Sequence, residues 1–170
     1  MNLNLIKTQM ASHAKTIFDM NIGITEKQAR WRPGPESWSI LEVINHLYDE
    51  ERLDFRVRLD IILHHPEQPW PSIDPAGWVK ERVYNQRDLK NSLEKFIAER
   101  SKSITWLEEL HPVDWDAVGD TPSGGQMRAG DMLSAWVAHD LLHMRQLVEL
   151  HWQYLVRSLQ PYQVDYAGEW

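Results

Sequence analysis

The stretch AWVAHDLLHMRQL, residues 135–147, decides the fold. Trp136, His139, His143 and Leu147 recur at steps of three and four, so they share one face of a helix. Met132 and Leu150 extend this stripe, and Leu133, Val137, Met144 and Val148 widen it. The pattern predicts a helix over residues 129–157 with a broad inward face. Two imidazoles sit in that face, where a charged or unpaired ring is costly. Either the rings are hydrogen-bonded within the core, or they grip one cation. An offset of four places their Cβ atoms about 5–6 Å apart, close enough to share an ion.

Three more amphipathic patterns lie upstream. Leu3, Ile6, Met10, Ile17 and Met20 mark the inner face of a helix over residues 3–22. Thr25 to Gln28 can cap a short turn, and Pro33 and Pro35 stop any helix from running on. Ser39 and Glu42 form an S-x-x-E capping box ahead of Ile40, Val43, Ile44 and Leu47. That second helix is expected to end in HHPEQPWPSIDP, residues 64–75, where four prolines intervene. Leu89, Leu93, Phe96, Ile97, Ile104 and Leu107 mark a third; DPAGWVKERVYNQ, residues 74–86, is either its lead-in or a separate helix. HPVDWDAVGDTPSGGQM, residues 111–127, has the composition of a loop, and no segment shows a strand-like alternation. Four long amphipathic helices predict an all-α, four-helix bundle in one domain, residues 1–170.

The composition removes several classes of function. The 170 residues carry a net charge of −7 with no basic run, which argues against nucleic acid as a partner. There is no cysteine, so disulfides, thiolate metal sites and cysteine nucleophiles are excluded. No apolar run is long enough for a membrane span. The first twenty residues lack the layout of a secretion signal, so the expected location is the cytoplasm. There is no phosphate loop and no G-x-S-x-G elbow. Of the nine tryptophans, most are expected to serve packing.

A third imidazole, His46, stands near the inward edge of the second helix. Three histidines from two helices can hold one face of a divalent metal and leave positions open, as catalytic sites do. Glu50, four residues on, is a candidate fourth ligand, a base, an acceptor behind a ligand, or a solvated acid in the DEER cluster. Tyr48, Trp136 and Arg100 are candidate substrate-binding residues. Asp140 follows His139 directly and so points elsewhere, as a cap, an interhelix partner or a surface charge. His13 reads as a packing residue, and His151 lies too far along its helix to join the pair.

PGPESWSILEVINHLYDEE, residues 33–51, resembles the entry to the second helix of DinB-like proteins, the damage-inducible, metal-binding four-helix bundles. AGDMLSAWVAHDLLHMRQL, residues 129–147, is similar to that family's fourth helix, with H-x-x-x-H followed by Gln146. Arg100, in AERSKSITWLEEL, fits the third helix of a subgroup. The resemblance implies an up-down-down-up, left-handed bundle and one divalent metal, nickel or zinc, held by His46, His139 and His143. It also implies a thiol-dependent S-transferase acting on a small molecule with a low-molecular-weight thiol such as bacillithiol or mycothiol, and a homodimer. The alternatives are a metal-dependent hydrolase or a non-catalytic metal- or ligand-binding module.

Overall fold

A computed structural model describes the whole chain, Met1–Trp170. The first long helix, α1, spans Leu3–Asn21 and is capped by the Asn2 side chain, which accepts from the Leu5 N–H at 3.1 Å. A short helix α2, Glu26–Arg30, follows, capped by Thr25 as its sequence predicts. The second rod begins at Ser39 with both halves of the capping box formed. It comprises α3 (Ile40–Glu50), a π-helical turn (Glu51–Phe55) and α4 (Arg56–His64), and the backbone stays right-handed helical through both junctions. It ends at His65, directly before Pro66.

Residues 74–86 form a separate helix rather than a lead-in. This is α5, Pro75–Glu81, started by Asp74 and Pro75, with a 3-10 turn at Tyr84–Gln86 behind it. The third rod, α6, spans Leu89–Glu109, and the fourth, α7, spans Ala129–Ser158. The loop between them departs from the sequence reading. Val118–Asp120 (β1) and Gln126–Arg128 (β2) pair antiparallel, with Val118 opposite Arg128. Strands of three residues are too short to leave an alternation in the sequence. Gly124 supplies the positive φ of 82° that their connection needs.

Pairs of residues fix the direction of each rod. Lys7 at the start of α1 meets Glu108 at the end of α6, so these two run antiparallel. His13 meets Asp140 and Asn21 meets His151, so α1 and α7 run parallel. Asn45 meets Ser92 and Arg56 meets Ser103, which makes the second rod parallel to α6. His46 meets His143 while Trp136 meets Glu51, so the second rod opposes α7. The order is therefore up-down-down-up. The principal contacts of α1 are with α6 and α7, not with the second rod that follows it.

The core is divided along its length. At one end Ala14, Ile17, Val43, Ile44, Leu93, Phe96 and Leu147 form an apolar cluster. At the other, Met10, Leu59, Ile62, Leu107, Met132, Leu133 and Trp136 form a second. Between them lies a polar layer holding His46, Glu50, Glu51, Arg100 and Asp140, all buried. Val148, expected to widen the inner face of α7, is instead 39% exposed. No helix is long and apolar enough to cross a membrane.

Candidate metal centre

The polar layer carries the three histidines. His46 comes from α3, and His139 and His143 come from successive turns of the antiparallel α7. The Nε2 atoms of His46 and His143 are 3.1 Å apart, as are those of His143 and His139. One ligand atom from each ring lies within 4.8 Å of the others. Metal–nitrogen bonds of about 2.0–2.1 Å at 90–110° set neighbouring nitrogens about 2.8–3.4 Å apart. Both edges that meet at His143 thus have the spacing of one coordination shell, and the third, between His46 and His139, is no longer than 4.8 Å, on nitrogen donors that suit several first-row divalent ions.

The rings are held in a state that can coordinate. Burial, followed by repulsion from the other two rings, pushes the His46 pKa down to about 2. Burial and His143 push His139 down to about 4, and burial also lowers His143. All three are neutral at pH 7. The Nδ1–H of His143 donates to Gln146 Oε1 at 2.8 Å, which leaves its Nε2 lone pair facing the other rings. Trp38 packs on His46 with ring centres 5.0 Å apart, and Phe55 packs on His139 at 4.9 Å.

Glu50 is not a solvated acid. The whole Asp49-Glu50-Glu51 run is buried. Asp49 accepts from Tyr84, Arg52 and Arg82, and Glu51 accepts from Arg100 and Trp136. Glu50 alone of the three has no cation bonded to it. Its Oε1 lacks a hydrogen-bond partner and lies 4.0 Å from His46 Nδ1, which also lacks one. Burial and the neighbouring Asp54 carboxyl push its pKa upward. The π-helical turn begins directly after Glu50, a local distortion often found at functional sites. A metal on His46 Nε2 would leave Nδ1 as the protonated nitrogen, with Glu50 as its acceptor.

Three expected pocket residues lie elsewhere. Arg100 is 2% exposed; its guanidinium reaches Glu51 on the second rod, Asp140 on α7 and the Met10 carbonyl on α1. With all three nitrogens engaged it ties four rods together and has no donor to offer a substrate. Trp136 is 1% exposed, donates to Glu51 at 2.9 Å and stacks on Phe55, so it backs the site without lining it. Tyr48, two residues after His46, faces away toward α6 and packs beneath Arg52. Asp140 is the interhelix partner among its three sequence readings, and His13 packs against it. His151 bonds Asn21 and Gln28 instead of a metal.

A cleft of about 430 Å³ opens onto His143. Besides His143, its walls include Glu36, Ser37 and Trp38 from the loop before α3, and Gln146 and Glu149 from α7. Sequence reasoning missed the loop residues. Their one signal was position, immediately ahead of the capping box that starts the rod bearing His46.

Fold and site together describe an up-down-down-up helical bundle with an open three-histidine centre. A family model described as the DinB superfamily matches residues 20–147, and the chain belongs to that superfamily. Among solved structures it is similar to YfiT from Bacillus subtilis, described as a probable metal-dependent hydrolase with an unusual four-helix bundle topology. The two share 15% sequence identity with a TM-score of 0.79, over 89% of this chain and 87% of that one. A comparison with curated proteins finds no match.

Proposed function

We propose that this protein is a metal-dependent hydrolase acting on a small molecule bound in the cleft beside His143. The observation that carries this reading is the double place of His143. Its Nε2 joins the histidine cluster, and the same side chain forms part of the cleft wall. An ion held by His46, His139 and His143 would lower the pKa of a water or thiol in its open positions and polarise a carbonyl. What is said of YfiT supports hydrolysis as the reaction.

The chain's own residues have separable tasks. Gln146 fixes the tautomer of His143, and Glu50, 4.0 Å from His46 Nδ1, is the acceptor placed to take a hydrogen bond from that nitrogen once Nε2 holds a metal. Trp38 and Phe55 keep bulk water from the buried sides of the rings. The S-transfer that the family resemblance implies would use the same open positions with a thiol in place of water.

The test is turnover by protein loaded with zinc, nickel or manganese. Ester and amide substrates form one arm, and an added small thiol with an electrophile forms the other. Hydrolysis that disappears with a chelator and in His143→Ala supports the proposal. Turnover confined to the thiol arm replaces hydrolase with transferase. Full turnover by metal-free protein defeats both.

A further inference from the structure

Resting on that reading and going beyond it, we propose that the cleft selects substrates with a cationic amine head and rejects anionic ones. Glu36 and Glu149 lie in its walls, and no lysine or arginine does. Of the nearby cations, Arg145 is exposed on α7 outside the lining, and three others are engaged elsewhere. Arg32 is paired with Glu42, Arg30 is bonded to the Asn85 and Arg87 carbonyls, and Arg157 lies over the Trp31 ring.

Position along α7 gives the charge its meaning. Glu149 follows His143 by six residues, or about 9 Å of helix rise. A substrate whose reacting group meets the histidines can therefore lay an ammonium several bonds away beside this carboxylate. Trp38, which lines the same cleft and packs on His46, adds an aromatic surface that also favours a cation. Glu149 is held in place by Gln153, which donates at 2.5 Å, and by the indole N–H of Trp170. Trp170 in turn stacks on Trp152, with ring centres 4.6 Å apart and planes within 4°. The C-terminal tail thus anchors the acidic end of the cleft. An anion entering there meets two carboxylates and no lysine or arginine in the walls, only the neutral donors of Ser37 and the glutamines, so small thiols bearing carboxylates fit poorly.

The experiment uses cobalt-loaded full-length protein and three thiols of similar length. These are 6-aminohexanethiol (cationic), 6-mercaptohexanol (neutral) and 6-mercaptohexanoate (anionic), long enough to span about 9 Å from the metal side to Glu149 and too long to close a small chelate ring, each read by its sulfur-to-cobalt charge-transfer band. The expected order of affinity is the amine, the alcohol, then the carboxylate, with about tenfold or more between the extremes at low salt. Replacing both acids, Glu36→Gln with Glu149→Gln, should collapse the preference while the thiol-free cobalt spectrum stays as it was. Equal affinities, a preference for the anion, or a preference that survives the double substitution would overturn the proposal and leave the metal reading intact. Failure of wild-type protein to take up cobalt would overturn the metal reading and this inference with it.

Discussion

The Arg100 guanidinium forms two parallel hydrogen bonds to Asp140, Nη1 to Oδ2 at 2.7 Å and Nη2 to Oδ1 at 2.8 Å. Glu51 takes a second pair from the same group at 2.8 and 2.9 Å. One cation thus pairs with acids on the two rods that carry the histidines. Arg100→Met would strip both buried carboxylates of their guanidinium, leaving Asp140 only His13 and Glu51 only the Trp136 indole, at a cost of about 3–5 kcal/mol. Arg100→Lys should recover only part of this, because an ammonium cannot make both bidentate pairs. Urea unfolding of metal-free protein measures it; a loss under about 1 kcal/mol for Arg100→Met would show that the pairs are not holding the rods.

Asp49 links acid sensitivity to the second rod. Burial pushes its pKa up, but hydrogen bonds from Tyr84, Arg82 and Arg52 outweigh this and hold it below its ordinary 3.8. A carboxyl lowered in the folded state adds stability above that ordinary value. The contribution is lost as pH falls through the lower folded value. Asp49→Asn should therefore cost about 1–3 kcal/mol at pH 7 and progressively less below pH ~4. Stability curves at several pH values check this; a difference that stays constant down to the acid limit would contradict it.

Glu50 should matter to the metal more than to the fold. Glu50→Gln keeps the shape but removes the ionisable carboxyl facing His46 Nδ1. Loss of such an acceptor weakens metal binding by about 10–100-fold. Competition with a chromophoric chelator measures the affinity, and a value within twofold of wild type would remove Glu50 from the site.

Ser39 holds the entry to the second rod. Its hydroxyl accepts from the Glu42 N–H at 3.2 Å and donates to Asn85 at 2.8 Å. Ser39→Ala should cost about 1–2 kcal/mol. Because Ser37 and Trp38 directly precede it in the cleft wall, substrate KM should rise as well. Thermal unfolding with steady-state kinetics separates the two effects, and unchanged stability would contradict the capping account.

The four rods and the histidines were legible because both depend on helical periodicity. An imidazole at a core position of α7 announces itself, and its partner four residues on shares its face. Two of the buried acids were not legible. Asp49 and Glu51 look like members of a solvated charge run, and only Arg82 and Arg100, from other segments, show that they point inward; Glu50 was legible in part, because it follows His46 by four residues on the same helix. Tyr48 failed for a simpler reason: two residues along a helix turn a side chain about 200° away from His46. Arg100 and Trp136 were read as candidate substrate-binding residues, because the sequence could not say that their donors are consumed by Glu51 and Asp140. The cleft joins residues 36–38 to residues 143–149 across the bundle, a proximity that no local pattern encodes.

The most direct test of the central claim is metal stoichiometry. Tag-free protein, dialysed to remove loosely held ions, should bind one divalent ion per chain by titration calorimetry with elemental analysis. His143→Ala should lose that ion while remaining folded by circular dichroism. Wild-type protein that folds normally yet binds no divalent ion, or a variant that binds it as tightly as wild type, would contradict the account.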